Sequence, residues 1–228
     1  VTSSETAVLL DIDGTLVDST YHHALAWQRA FGGVGLDVPL WRIHRTVGMG
    51  GDKLVAAVTG DEVERRHGDE LRDRWRELYA EMRHEVTALP GAADLVRDLD
   101  SRGHVVALAS SGDPQFAQEA VALLGVEDQV QALTTTDDAE ESKPHPSLVE
   151  ETLRRLPGTR RAVLVGDTPY DVESAAHAGL ACVGLLCGGY SRAELEEAGA
   201  VLVVESPGDL VGLDWDQHLR PVGGSSNG

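Results

Sequence analysis

The sequence predicts an α/β fold: a doubly wound parallel sheet with a helical insertion directly after its first strand. Three features predict it. Six short apolar runs recur along the 228 residues, most of them separated by amphipathic helical patterns. The runs are continuous rather than alternating, as in strands buried on both faces by flanking helices. One stretch, residues 20–85, breaks this rhythm and carries helical patterns alone.

Taken in order, the first strand is VLL (8–10), which leads into DIDGTLVDS. The insertion follows. Its last segment repeats apolar residues at helical spacing (Leu71, Trp75, Leu78, Tyr79, Met82, Val86), and it holds three of the four tryptophans, Trp27, Trp41 and Trp75. Its helices are expected to pack on one another and to sit over the strand ends like a lid. The second strand, HVVALAS (104–110), precedes a helix from Pro114 to Leu124 that Gly125 stops. QALTT (131–135) precedes a helix from Pro146 to Leu156. RAVLVGD (161–167) precedes a helix from Pro169 to Ala178, ended by Gly179. Proline just inside a helix start and glycine just past its end are the expected punctuation. ACVGLL (181–186) and AVLVV (200–204) complete a Rossmann-like sheet. Residues 1–19 and 86–220 are thus expected to form the core domain and 20–85 the insertion. Residues 221–228, ending in a Gly/Ser-rich stretch, are expected to be a disordered tail. There is no internal repeat.

With 42% hydrophobic residues the chain can bury a proper core. No apolar run approaches the roughly 18 residues of a membrane helix, so no membrane partner is expected. The N-terminal VTSSETA has neither the basic nor the apolar region of a signal peptide. Cys182 and Cys187 lie in or beside an apolar stretch and read as reduced thiols, so a cytoplasmic location is expected. The net charge of −19 argues against a nucleic-acid partner, because phosphate backbones demand a basic face. It also disfavours a small anionic substrate except where local cations reverse the field.

Such cations belong where ligands bind in open α/β sheets, at the carboxyl ends of the strands. Strand one ends in Asp11 and Asp13, and strand two in Ser110. The strand near residue 133 is followed by ESKPHP with Lys143, and the next by VGDTPYD with Asp167 and Asp171. Two carboxylates one residue apart repel unless a cation or a shared proton holds them. Three acids around one point suit a hard divalent cation such as Mg2+. Ser110 and Lys143 together complement a phosphate, with one hydroxyl donor and one fixed positive charge. Backbone N–H groups at Gly14 add donors for the same oxygens. The assembly describes phosphoryl transfer. Each part alone has a plainer reading: Asp11 as a turn or cap residue, Ser110 or Ser111 as a helix cap, Lys143 as surface, Asp171 as a first-turn acid favoured by the helix dipole. Their arrangement in strand order outweighs those readings. Other motifs fail. Counting from Asp11, a calcium loop would need glycine at position six and glutamate at twelve, where the sequence has His22. GMGGDK (48–53) has neither Walker A nor dinucleotide spacing, and the nine histidines lack zinc spacing.

DIDGTLVDS, ALASSG, SKPHPS and GDTPYD, in this order, resemble the four motifs of the haloacid dehalogenase (HAD) superfamily, over about residues 7 to 205. YHHALAW (21–27) and LPGAADLVRDL (89–99) resemble its phosphoglycolate phosphatase and β-phosphoglucomutase branch, and the insertion resembles that branch's helical cap. The resemblance implies Asp11 as the nucleophile that forms an aspartyl-phosphate. It implies Asp13 as the general acid and base, with a raised pKa in the closed site. Ser110 and Lys143 would hold the phosphoryl oxygens. Mg2+ would be bound by Asp11, the backbone carbonyl of Asp13, and Asp167, with Asp171 direct or through water. Ser111 and Gly112, with His23, Arg45 and Lys53 of the cap, are the candidate substrate contacts. A mutase typically carries adjacent acids in the fourth motif and a phosphate-gripping arginine in the cap. Here the fourth motif is GDxxxD, and RTVGMGGDKL places glycines where that arginine is sought. His23 and Trp27 do resemble the mutase branch. The expectation is a phosphatase acting on a small phosphorylated metabolite, with a phosphosugar mutase as the alternative. A phospho-acceptor signalling domain or a non-catalytic binding protein is the reading from another class.

Overall fold

A computed structural model describes residues 5–223. Strand β1 (Thr6–Leu10) lies at the centre of the sheet, because it pairs in parallel on both sides, four residues with one neighbour and five with the other: Leu10 is in register with Leu108 on one flank and with Val165 on the other. The flanking strands are β2 (Val105–Ala109), β3 (Val130–Thr134), β4 (Arg161–Gly166), β5 (Ala181–Leu185) and β6 (Leu202–Val204), in the spatial order β3-β2-β1-β4-β5-β6. All six pair in parallel, as continuous apolar runs require. A short seventh strand, β7 (Arg220–Pro221), pairs antiparallel with the start of β4, and the Val222 N–H donates to the Arg160 carbonyl at 2.8 Å. This corrects the expected tail at its near end: Pro221 pairs in β7, and residues 224–228 lie outside the described residues.

Alternate residues of β1 separate two apolar layers. Val8 and Leu10 face one with Leu95, Val121 and Trp215, while Ala7 and Leu9 face the other with Val149, Val172 and Leu195. The helical insertion begins with α1 (Thr20–Gly33), α2 (Leu40–His44), α3 (Gly51–Thr59) and α4 (Asp61–Met82). It closes around its own apolar cluster, centred on Trp27, Phe31, Ile43, Leu54, Val55 and Leu71. The core helices are α5 (Ala92–Ser101), α6 (Pro114–Leu124), α7 (Ser147–Arg154), α8 (Pro169–His177) and α9 (Arg192–Ala198). α5 and α6 cover the first layer; α7, α8 and α9 cover the second. α6 runs as the sequence punctuates it, with Asp113 capping the Gln115 N–H at 2.9 Å and Gly125 left-handed at φ +60°.

The chain leaves β1 toward β2 and β3 and then returns to the other side of β1 to form β4. The strand order therefore reverses between β1 and β4, and the crevice at their carboxyl ends is where such sheets bind ligands. The insertion enters at that rim. Among the described residues, no helix is long and apolar enough to cross a membrane.

Candidate active site

Asp11 and Asp167 directly follow β1 and β4. The Asp11 N–H still donates to the Val165 carbonyl at 2.9 Å, which fixes its side chain at the mouth of the crevice. The chain then turns sharply through Ile12–Val17, with Leu16 N–H on the Ile12 carbonyl at 2.8 Å and Gly14 at φ +79°. That position demands glycine twice over. A Cβ there would be strained, and would come within 2.4 Å of both Asp167 Oδ2 and Thr20 Oγ1.

Lys143 is 1% exposed, and its Nζ lies 2.5 Å from Asp11 Oδ1 and 2.7 Å from Asp171 Oδ1. Asp171 serves two purposes. Its Oδ2 accepts from the Thr168 N–H at 3.1 Å and hydroxyl at 2.6 Å, a capping box at the start of α8, while Oδ1 faces the lysine. The plain helix-start reading is met by Oδ2, and it leaves Oδ1 turned toward the site. Asp167 Oδ1 accepts from the Thr15 hydroxyl at 2.9 Å, but its buried Oδ2 has no partner among the described residues.

One lysine thus faces three buried acids whose oxygens lie within 4.8 Å of one another. Burial pushes the Asp11 carboxyl up to about 7, with Asp171 and Asp13 adding to the rise and Lys143 opposing it. Burial likewise lifts Asp167 well above the usual carboxylate range, helped by the charges of Asp171 and Asp11. Space is kept open around the orphaned oxygen, since a Cβ on Gly188 would fall 1.7 Å from Asp167 Oδ2. Three hard oxygen donors, one of them unpartnered, and a cradle walled by glycines fit a divalent cation.

Asp13 is held apart from this cluster, which resolves how two aspartates sit one residue apart. Asp11 turns to Lys143, whereas Asp13 Oδ1 accepts from the Ser19 hydroxyl at 2.6 Å and lies 2.9 Å from His23 Nε2. The raised pKa expected for Asp13 is not found. Burial acts to raise it, but the charge and hydrogen bond of His23 and the hydroxyl of Ser19 outweigh burial and hold it below the usual range. His23 is itself fixed by stacking on Tyr79, with ring centroids 3.9 Å apart and planes 8° from parallel.

Between core and cap lies a cavity of about 50 Å³. Its floor is Asp11, Asp13, Ser111 and Gly112; its roof is His23, Trp27, Val47, Met49, Leu54 and Trp75. Ser110 lies beneath that floor, 1% exposed, with Oγ accepting the Gly112 N–H at 3.0 Å. Arg45 and Lys53, sought as substrate contacts, are outside the residues that line this cavity. The Arg45 guanidinium pairs with Glu194 of α9 and lies 4.1 Å over the Tyr190 ring, and its carbonyl accepts from the Tyr170 and Tyr190 hydroxyls at 2.7 and 2.8 Å. Lys53 donates to the Ser142 carbonyl at 2.9 Å and pairs with Glu141 at 3.1 Å. Both fasten the cap to the core. Sequence reasoning missed Ser19, Thr15 and Gly188. The first two lie inside the DIDGTLVDS stretch. Gly188 follows β5, whose carboxyl end is on the same rim.

The model of the haloacid dehalogenase-like hydrolases matches residues 5–179. A phosphoglycolate phosphatase of Vibrio vulnificus is 28% identical over 82% of this chain and 86% of its own length. A validoxylamine A 7′-phosphate phosphatase of Streptomyces hygroscopicus subsp. limoneus is also 28% identical, over 93% and 97%. The crystal structure of a hydrolase from Pseudomonas syringae superposes with a TM-score of 0.85 at 31% identity, covering 90% of this chain and 95% of that one. A β-phosphoglucomutase from Clostridium difficile shares the fold, with a TM-score of 0.76 at 20% identity over 90% and 92% of the two chains. The chain belongs to the haloacid dehalogenase-like hydrolases. Within that family it is a phosphatase, similar to phosphoglycolate phosphatases over about four-fifths of its length.

Proposed function

We propose that the protein is a Mg2+-dependent phosphatase that hydrolyses a small phosphomonoester, of the phosphoglycolate or sugar phosphate type, through an aspartyl-phosphate on Asp11. The observation that carries this reading is a buried carboxylate on the cavity floor, held 2.5 Å from a buried lysine and separated from a second acid that has its own histidine.

An Asp11 oxygen attacks phosphorus, and the bond from phosphorus to the ester oxygen breaks. The departing oxygen takes a proton from Asp13. In the free enzyme Asp13 is ionised beside His23, but the arriving phosphate dianion raises its proton affinity, and His23 is placed to relay the proton. Water then attacks phosphorus, Asp13 takes its proton, and inorganic phosphate leaves with Asp11 restored. Lys143 steadies the charge on Asp11 and the phosphoryl oxygens, and Ser110 with the N–H groups of its loop supplies hydrogen bonds to them. Asp11, Asp167, Asp171 and the Asp13 carbonyl would hold Mg2+, which when bound supplies positive charge to the phosphoryl oxygens. The mutase alternative is not favoured, because it needs a second phosphate site in the cap, and Arg45 and Lys53 are tied to the core.

The test is phosphate release from p-nitrophenyl phosphate with Mg2+ and with EDTA, alongside detection of an acid-stable, hydroxylamine-labile phosphoprotein. Turnover only with Mg2+, and a phosphoprotein lost in Asp11→Asn, are expected. Full turnover in EDTA, or wild-type turnover by Asp11→Asn, overturns the reading.

A further inference from the structure

We infer that the leaving-group side of this site takes a neutral, hydroxylated group, a ring or polyol, in preference to one that bears a carboxylate or a second phosphate. This rests on the phosphatase reading and concerns the half of the substrate that the phosphoryl machinery does not touch.

Beside the inner cavity lies an outer one of about 190 Å³, and Gly51, Trp75, Ser111 and Gly112 line both. A phosphoryl group seated on Asp11 therefore directs the rest of its ester along Trp75. Apart from His23, which is engaged by Asp13 at 2.9 Å, the roof it meets is apolar: Trp27 and Trp75, stacked with centroids 5.3 Å apart, and Val47, Met49 and Leu54. No lysine or arginine lines the inner cavity among the described residues. The outer cavity has two arginines, and both are committed. Arg72 pairs with Glu64 at 2.9 Å and Asp69 at 2.8 Å and donates to the Gly51 carbonyl. Arg76 pairs with Asp113 at 2.7 Å. Asp52 and Asp137 line the same wall. An anionic leaving group would lose its hydration there, against indole faces and carboxylates, without meeting a free cation.

A hydroxylated group meets what it needs. The indole Nε1–H of Trp75 is buried and has no acceptor among the described residues, although a buried donor ordinarily finds one. Trp75 lines both cavities, but the donor itself is covered in the free protein, so a substrate hydroxyl can accept from it only once the indole shifts. The C–H face of a ring or polyol can lie on the aromatic surface.

The experiment measures kcat/KM with Mg2+ for hexose 6-phosphate and inositol 1-phosphate against phosphoglycolate and fructose 1,6-bisphosphate, with p-nitrophenyl phosphate as the generic substrate. The better neutral substrate is expected to exceed both anionic ones at least tenfold. Trp75→Phe, which keeps the ring and removes the donor, is expected to raise KM for the neutral substrate about fivefold with kcat little changed. A purely structural role for Trp75 would lower kcat for every substrate alike. Leu54→Arg, which brings an unpaired cation into the roof, is expected to shift preference toward phosphoglycolate. If p-nitrophenyl phosphate is hydrolysed and phosphoglycolate or the bisphosphate matches the best neutral substrate, the inference falls while the phosphatase reading stands. If p-nitrophenyl phosphate is not hydrolysed, both fall.

Discussion

Replacing Lys143 by methionine keeps most of the side-chain volume and removes the cation that Asp11 and Asp171 share at 2.5 and 2.7 Å. Breaking a buried ion pair from one side costs about 3–5 kcal/mol, because the partner is left as an uncompensated charge. For a chain of this size that corresponds to a fall in Tm on the order of 10 °C. The loss should depend on pH in a definite sense. Asp11 already titrates at about 7 against an ordinary value of 3.8, so protons bind it more tightly in the folded state than in the unfolded one. A carboxyl with a raised folded pKa contributes stability that is present at low pH and lost as pH rises through the folded value. Without the lysine that value climbs further. Urea denaturation in EDTA should therefore show a small gap between wild type and Lys143→Met at pH 5.5, where the carboxyl is neutral in both, and a wide one at pH 8. Adding Asp11→Asn to Lys143→Met should recover at least about 1 kcal/mol relative to additivity. An equal loss at both pH values, with additive mutations, would mean that Lys143 acts through packing and that the electrostatic account of the site is wrong.

Three further outcomes follow from the geometry. Asp13→Asn should slow hydrolysis by roughly 10²- to 10⁴-fold, and less for an activated aryl phosphate, whose leaving group needs little protonation; equal losses on both substrates would deny Asp13 its role as acid. His23→Gln removes the charge that holds Asp13 down, so burial should lift Asp13 and move its limb of the pH profile of kcat/KM to higher pH; an unmoved limb refutes the pairing. Mg2+ is expected to raise the Tm of the wild type, and Gly188→Ala, which places a Cβ 1.7 Å from Asp167 Oδ2, should abolish that rise while circular dichroism stays unchanged; a retained Mg2+ response would place the cation elsewhere.

Much of the rim was legible because chemistry and topology coincide in the chain. Each apolar run fixes a strand, and the residue just past it must lie on the carboxyl edge, so Asp11, Ser110 and Asp167 could be placed from sequence and are found there. Lys143 needed one more step, since a loop residue is not positioned by strand periodicity, and the shared requirement for a cation among buried acids supplied it. The division of labour between the two aspartates was not legible. It depends on Ser19 and His23 meeting Asp13 from the first turn of α1, an entry angle that the periodicity of the insertion does not encode. That Asp13 lies low in the free protein was not legible for the same reason. Burial can be anticipated from a strand end, but the charge of a neighbouring ring cannot.

The cap was misread where charge was taken as a sign of recognition. Arg45 and Lys53 are cations on a lid over an anionic substrate, and on composition alone they belong with it. Their partners are 149 and about 90 residues away in sequence: Glu194 on α9 and Ser142 with Glu141 beside Lys143. No local pattern joins residues so distant, so the alternative use of those charges, fastening the lid, was invisible. The consequence reaches the chemistry. Once these cations are spent on closure and Arg72 and Arg76 are paired, the surface left facing the leaving group is the one the sequence assigned to packing, the tryptophans at helical spacing. On the proposed function, the residues that would hold the phosphoryl group follow strand order and can be read in line; those that would meet the rest of the substrate are whatever side chains remain unpartnered after the lid has closed.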